Sequence, residues 1–372
     1  MNETLTAPAH TAPRLDRLRA AFDEQKIDAL LVSDPHNRRY LSGFTGSAGT
    51  LLIDRHRAEI ATDFRYWDQV GLQCPGYALY QSTGPLTEWL PDVLRPQGGK
   101  RLGFEAATVT VDLLRQFREV IEGLPAADRP ELVPTTGMVE ALRALKEPEE
   151  IARLERVIQL ADAALEAVVG RIEPGWTEKQ VAWEIETYVR AHGGDGMSFQ
   201  TIVAGGPWGA LPHARARDVP LQPNQGVVID MGALMQGYCS DMTRTIFLGE
   251  PDAQFKQIYD IVLAAQLTAE EMIEEGMDGH TAHMIAQSVI EETGHGEQFG
   301  HGLGHGIGLQ VHEDPYLRKQ SKDIVRNGMV FSVEPGIYIP GWGGVRIEDL
   351  VVMENGRCRV LTTAPKVRFA GR

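Results

Sequence analysis

The sequence predicts an α/β protein of two domains, the second carrying a weak internal repeat, and three observations predict it. Helical and strand-like stretches alternate up to about residue 145. A strong helix start follows at residues 146–150. Beyond it, Ile172-Glu173-Pro174-Gly175-Trp176 recurs 101 positions later as Ile273-Glu274-Glu275-Gly276-Met277.

Each element has a local reason. Residues 15–25 have the apolar spacing of an amphipathic helix. Residues 27–32 (IDALLV) form an apolar run closed by Ser33-Asp34-Pro35, which reads as a buried strand and a turn. Residues 50–53 and 58–62 read as two more strands joined by a charged turn. Residues 1–14 are polar and contain proline, with no apolar stretch for a signal peptide, so a disordered tail is expected there. The first domain is then expected over 15–145 and the second over 146–372.

At the boundary, Pro148 can occupy the first turn of a helix, where a missing N–H costs nothing. Glu147, Glu149 and Glu150 put negative charge where the helix dipole favours it. Ile151, Leu154, Val157, Ala161, Leu165 and Val168 then repeat at helical spacing. Each copy of the internal repeat precedes a helical stretch and a Gly-rich segment with histidine: His213 in the first half, His301 to His312 in the second. Two readings stand side by side: a coincidence of helix-turn-helix chemistry, or a pseudo-twofold domain with its site where the halves meet.

Composition excludes several classes. A net charge of −15 leaves no broad basic face for phosphates, which argues against nucleic acid. No apolar run approaches the ~18 residues of a membrane span. Cys74, Cys239 and Cys358 are odd in number and far apart, so neither a disulfide framework nor a zinc ribbon is expected. A reducing, cytoplasmic compartment fits.

Three segments carry the chemistry. In Val227-Val228-Ile229-Asp230 and Tyr238-Cys239-Ser240-Asp241, one β-like stretch ends in a carboxylate and the next returns with another. A lone Asp at a strand end is often a turn former. Two in β-like sequence point instead to a buried pair, which needs a counter-charge such as a metal. In the second segment, Phe299-Gly300-His301-Gly302-Leu303-Gly304-His305-Gly306, the histidines have the spacing of a helical zinc site, but the glycines make a poor helix. Close backbone approach is the alternative use of those glycines, and His312 follows shortly after. The third segment pairs Ser332-Val333-Glu334-Pro335-Gly336 with Val345-Arg346-Ile347-Glu348. Arg346 and Glu348 would face the same way on a strand, either as a simple ion pair or with Arg346 orienting the carboxylate.

Carboxylates and imidazoles without thiolate suit Mn²⁺, with Co²⁺ or Zn²⁺ as alternatives. Four carboxylates would over-neutralise one ion. Two divalent ions roughly 3.5–4 Å apart would balance them.

With these segments in this order, the chain resembles the pita-bread metallopeptidases, the family of Xaa-Pro aminopeptidases, prolidases and methionine aminopeptidases. The likeness runs from about residue 150 onward and implies a pseudo-twofold pita-bread catalytic domain. It implies that Asp230 binds one metal, that Asp241 and Glu348 bridge two, and that His305 and Glu334 complete the second. It also implies His213 and His312 as contacts to the scissile peptide, His301 as a further pocket histidine, and Glu334 as the proton carrier.

The stretches Tyr40-Leu41-Ser42-Gly43-Phe44-Thr45-Gly46-Ser47-Ala48-Gly49 and Thr62-Asp63-Phe64-Arg65-Tyr66 resemble the creatinase-type N-terminal domain of the proline-specific members. The expected activity is that of an Xaa-Pro aminopeptidase acting on peptides with proline in second position, with the Xaa-Pro dipeptidase (prolidase) as the alternative. The Gly-Phe-Thr-Gly-Ser-Ala-Gly stretch tilts the choice. A dipeptidase would need a cation for the free proline carboxylate, and Arg65, Arg215, Arg217, Arg318 and Arg346 are the candidates. The resemblance also implies a homodimer or larger assembly. The aromatic-rich Phe64-Arg65-Tyr66-Trp67 reads either as an interface or as an ordinary strand end.

Overall fold

A computed structural model describes residues 11–173 and 175–366. They fall into two units, Met1–Arg143 and Ala144–Arg372.

The first unit is built on six strands: β1 (Ala29–Val32), β2 (Thr50–Asp54), β3 (Ala58–Thr62), β4 (Ala78–Gln81), β5 (Arg101–Glu105) and β6 (Glu131–Thr135). Their order is β4-β3-β2-β1-β5-β6, with β1, β5 and β6 parallel to one another. All four residues of β1 are buried, as a central strand covered on both faces requires. Asp34 stops the strand and starts the helix Pro35–Ser42 by accepting from the amides of His36 and Asn37, at 2.8 Å each. Open α/β sheets hold ligands at the carboxyl ends of their parallel strands. Here that place is taken by Glu105, whose carboxylate accepts from the Ser33 amide (2.6 Å), the Asp34 amide (2.7 Å) and Asn37 Nδ2 (2.7 Å).

The expected tail is corrected in part. A helix already begins at Thr11 and runs to Ala20, and a second short one covers Phe22–Gln25. Arg14 is buried because its guanidinium lies 4.1 Å over the Tyr40 ring and donates to the Tyr40 carbonyl at 2.8 Å. Residues 1–10 lie outside the described residues. The stretch 43–49 is a packed loop: Arg38 donates to the carbonyls of Gly46 (2.8 Å) and Gly49 (2.7 Å). Phe44, 1% exposed, meets the Tyr66 ring edge-on at 5.6 Å.

The second unit repeats one plan twice. Its first half carries the helices Pro148–Val169 and Glu178–Ala191, then β7 (Gly196–Met197), β8 (Ile202–Gly205), β9 (Gln225–Met231), β10 (Ala233–Met235), β11 (Tyr238–Cys239) and β12 (Met242–Leu248). The second half carries the helices Ala253–Met272 and Gly279–Glu292. Then come β13 (Gly304–Gly306), β14 (Glu313–Leu317), β15 (Val330–Val333), β16 (Gly336–Ile339), β17 (Gly343–Arg346), β18 (Asp349–Glu354) and β19 (Arg357–Val360). Pro148 does open its helix, behind a capping box formed by Glu147 and Glu150.

The sequence repeat is the helix–helix corner of each half. Gly175 and Gly276 both take positive φ, +102° and +91°. Their amides donate to Leu221 O (3.0 Å) and Val325 O (2.8 Å). Thr177 and Asp278 cap the next helices and form matching bridges to Pro220 and Ile324. The halves then place β9 between β8 and β12, and β15 between β13 and β18. Phe255, Tyr259, Val262, Phe331, Val351 and other apolar side chains pack beneath the strands of the second half.

His283 is 1% exposed in that core, beside the Phe299 ring at 5.3 Å, and neither ring nitrogen has a hydrogen-bond partner among the described residues. Burial, aided by the charges of Lys319 and His280, pushes its pKa down to about 4. The unfolded chain therefore binds a proton that the folded chain refuses. Between the unfolded value near 6.5 and about 4, acidification costs the folded state stability. His283→Leu removes this term. Its denaturation midpoint, compared with that of the parent, will gain steadily as pH falls from 7 to 4. A difference that does not change with pH would refute this.

Candidate metal centre

The carboxylates reach one site because strands end there. Asp230 lies on β9 opposite Thr243 of β12. Asp241 precedes Thr243 by two residues, the spacing that keeps side chains on one face. Between the two acids, β10 and β11 make an excursion in which β10 pairs with β7. Glu334 follows the last residue of β15, and Glu348 falls between β17 and β18.

His305 sits at the centre of β13, flanked by two glycines. A Cβ on Gly304 would stand 1.9 Å from the Ser332 carbonyl oxygen, and one on Gly306 would stand 2.1 Å from that of Asp314. The glycines thus let β13 press between β14 and β15, the close approach anticipated above. His305 Nδ1 lies 3.1 Å from the Gly306 carbonyl, which assigns it the proton and leaves Nε2 as the donor atom. That Nε2 is 3.4 Å from Glu334 Oε1 and 3.7 Å from Asp241 Oδ2. Ligand atoms of Asp241, His305 and Glu348 all lie within 4.8 Å of one another.

Hydrogen bonds fix these groups from behind. Thr243 Oγ1 donates to Glu348 Oε2 (2.7 Å) and accepts from Arg346 Nε (2.9 Å). Ser332 Oγ donates to Glu334 Oε1 (3.2 Å) and accepts from the His305 amide (3.1 Å). Below Glu348, Arg244 donates to its carbonyl (2.6 Å), to Asp349 (2.6 Å) and to Ala364 O (2.7 Å).

Arg346 makes no ion pair with Glu348 and reaches that carboxylate only through Thr243 Oγ1. Its Nη2 bonds Asp230, while Nη1 donates to Tyr338 Oη at 2.8 Å. The reason is that β17 ends at Arg346. The chain then turns, with Ile347 N bonded to Pro335 O and Glu348 N to Thr243 O, so 346 and 348 do not share one strand face. Arg65 and Arg217 are likewise committed, to Asp63 and Glu178.

Burial raises the pKa of Asp230, Asp241, Glu334 and Glu348, and for Asp241 and Glu348 it does so far above the usual carboxylate range. Neighbouring carboxylates add to the rise at Asp241 and Glu348, and Arg346 opposes it. Asp230 Oδ1 is buried with no partner among the described residues. An unsatisfied carboxylate oxygen facing a clustered oxygen and imidazole donor set fits divalent cations.

Three histidines surround the cluster. The His301 ring spans Gly302 O (2.8 Å) and Tyr338 Oη (2.9 Å). The His312 ring lies 4.2 Å from that of His305, and burial, with His305 and His213 nearby, pushes its pKa down to about 4. His213 is exposed and close enough to bear on the charge of Asp230 and His312. The carbonyl of the preceding Pro212 accepts from Arg346 Nη1 at 3.3 Å. The five candidate ligands and the three candidate histidines therefore gather here, whereas Arg65 and Arg217 are spent elsewhere. Those missed are Thr243, Ser332 and Tyr338. Register would have found Thr243, which faces Asp230, and Tyr338, which shares a hairpin face with Arg346.

Known proteins resemble the chain over nearly its whole length. The model of metallopeptidase family M24 matches residues 152–355, and that of the creatinase/prolidase N-terminal domain matches residues 14–145. A solved structure named Xaa-Pro dipeptidase, from Bacillus anthracis, is 42% identical with a TM-score of 0.92, over 96% of this chain and 99% of that one. An Xaa-Pro dipeptidase of Pyrococcus furiosus is 34% identical over 94% of this chain and 98% of its own length. The structure of an X-Pro aminopeptidase from Thermotoga maritima is 34% identical with a TM-score of 0.86, over 96% of this chain and 99% of that one.

The aminopeptidase expectation is corrected by these findings: the likeness at 42% identity is to a dipeptidase. The motif that carried the expectation is held by Arg38, Phe44 and Tyr66 inside its own domain.

Arg346 is the guanidinium that balances the carboxylate cluster. Arg346→Met is expected to cost metal-free protein about 3–5 kcal/mol, the usual penalty for stranding a buried charge. Added Mn²⁺ should narrow that gap. Denaturant titration with and without the ion measures both, and an unchanged stability would refute the assignment.

Proposed function

The chain belongs to metallopeptidase family M24, and from that membership we propose that it is a metal-dependent Xaa-Pro dipeptidase. Its reaction is hydrolysis of the bond between a first residue and a following, C-terminal proline. The observation that carries this reading is the full-length likeness to the Bacillus anthracis dipeptidase.

In this reading two divalent ions, Mn²⁺ by preference over Co²⁺ or Zn²⁺, are held in each subunit. Asp230, Asp241, His305, Glu334 and Glu348 would hold them. When bound, the ions supply Lewis-acid activation of water and of the scissile carbonyl. The remaining work falls to the chain. Glu334 takes a proton from the attacking water and passes it to the leaving proline nitrogen. His312 and His213 donate hydrogen bonds to the carbonyl oxygen as it gains charge. His301 acts through Tyr338, which ties it to Arg346 and so to Asp230.

Recognition of the free proline carboxylate needs a cation. Among the described residues, Arg215 and Arg318 have no carboxylate within ion-pair distance. We assign the role to Arg318, whose guanidinium lies 4.7 Å over the ring of Tyr316, the residue paired with His305 across β13 and β14.

No described helix is long and apolar enough to cross a membrane. Three free cysteines fit a reducing compartment, and cytoplasmic action on small peptides completes the reading. The assembly is a homodimer or larger: Phe64 is 75% exposed and Leu72 57%, apolar area that a second subunit would cover.

Chelation is expected to abolish activity and Mn²⁺ to restore it. Xaa-Pro dipeptides should be cleaved with higher kcat/KM than Xaa-Pro-Yaa tripeptides sharing the first residue. Tripeptides cleaved as well as dipeptides, or full activity without metal, would overturn the reading. Sedimentation at micromolar concentration should give a dimer or larger. Phe64→Ser should shift it toward monomer, and a monomeric parent would refute the assembly.

A further inference from the structure

His213 is presented by a loop, and the two feet of that loop share one carboxylate. Glu178 opens the helix Glu178–Ala191, directly after its cap Thr177, and is 1% exposed. Its Oε1 accepts from the Gly205 amide at 3.1 Å, where β8 ends and the loop begins. Its Oε2 accepts from the Arg217 amide at 2.8 Å, where the loop ends. The Arg217 side chain then closes a fork on the same carboxylate, Nε to Oε2 at 2.9 Å and Nη2 to Oε1 at 2.7 Å.

The guanidinium also lies 4.2 Å over the ring of Trp208, inside the loop. Trp208 Nε1 donates to Arg215 O at 3.1 Å, across the loop from one limb to the other. Two further ties hold the span to the site itself. A Cβ on Gly344 would stand 2.1 Å from Gly209 O, and Arg346 reaches Pro212 O. The latter ties belong to the metal centre. The Glu178 fork is set apart from it and touches none of the proposed ligands.

We propose that Glu178 and Arg217 are positioning residues that hold the loop 206–216 in the one geometry that aims His213 at the scissile carbonyl. This rests on the role given to His213 above. A bidentate arginine–carboxylate pair constrains direction as well as distance. A buried carboxylate at a helix N-terminus is moreover a fixed anchor, favoured by the helix dipole. Arg217 is thus committed to Glu178 and Trp208 and is not a binder of the substrate carboxylate.

The test is a cycle on the metal-loaded protein with an Xaa-Pro dipeptide. Arg217→Ala keeps both backbone bonds to Glu178 but loses the fork and the stack on Trp208. Its kcat is expected to fall tenfold or more, toward the ~10² that a misplacement of about 1 Å costs, with metal content unchanged. Arg217→Lys should recover part of the loss. In a His213→Ala background, Arg217→Ala should cost no more than about twofold further, because the group it positions is gone. Losses that multiply, or a kcat unaffected by Arg217→Ala, overturn the proposal.

A parent protein that cleaves no Xaa-Pro dipeptide defeats the dipeptidase reading alone. The clamp is then judged by amide exchange across residues 207–216. Faster exchange in Arg217→Ala supports it and unchanged exchange overturns it. Arg217→Gln, which retains one donor to Glu178, is read by the same measures should Arg217→Ala fail to fold.

Discussion

Four carboxylates are buried in one small volume, and the rest of the catalytic unit is arranged around keeping that tolerable. Asp230, Asp241, Glu334 and Glu348 raise one another's pKa or are raised by burial. Charged groups out of water need partners for every lone pair, or the structure yields before they do. Arg346 meets Asp230, Thr243 meets Glu348 and Ser332 meets Glu334. Arg346 and Thr243 come from strands other than those bearing the acids they meet, so Asp230 and Glu348 each lock two elements together, whereas Ser332 supports Glu334 from its own strand and ties it to β13 through the His305 amide. What hydrogen bonds leave unbalanced is charge, and divalent cations answer that need.

The two halves meet the constraint unequally. Their helical corners match closely, down to the positive φ of Gly175 and Gly276 and the bridges at Thr177 and Asp278. Their contributions to the site do not. The first half provides Asp230 and Asp241, the second His305, Glu334 and Glu348. The loops that carry His213 and His312 are also held differently. Glu178 and Arg217 grip the first. The second closes on Glu313, which accepts from the Gln310 amide at 3.0 Å and pairs with buried Lys146 at 3.1 Å. Symmetry sets the scaffold, and local buried ion pairs adapt each copy to its task.

Much of this was legible in the sequence because it follows short-range rules. The helix at Pro148 follows from its cap, β1 from the apolar run before Asp34, and the close packing at His305 from its glycines. The acids stood out because carboxylates are rare in apolar strands. Pairing across the fold was harder to read. Arg346 sits two residues from Glu348 yet serves Asp230, because a turn at Ile347 breaks the strand. Arg217 stood only as a candidate cation for the substrate, since nothing near it in sequence announces Glu178. Arg14 looked like tail, since its partner is the distant Tyr40 ring. Substrate length was misjudged because a loop packed by Arg38 and Phe44 was taken for a specificity motif.

The carboxylates lie far apart along the chain, and this bears on how the protein is made. A chain growing from its N-terminus exposes Asp230 and Asp241 well before Glu334 and Glu348 exist, and Arg244 waits longer still for the Ala364 carbonyl it bonds. During that interval the early acids stay ionised and solvated at the end of an unfinished sheet. Nothing then obliges them to be buried, and no complete ligand set is present to capture cations. The last strands bring the counter-charge, through Arg346, together with the remaining acids. Desolvation and neutralisation thus coincide, and the nascent chain is spared a buried charge without a partner.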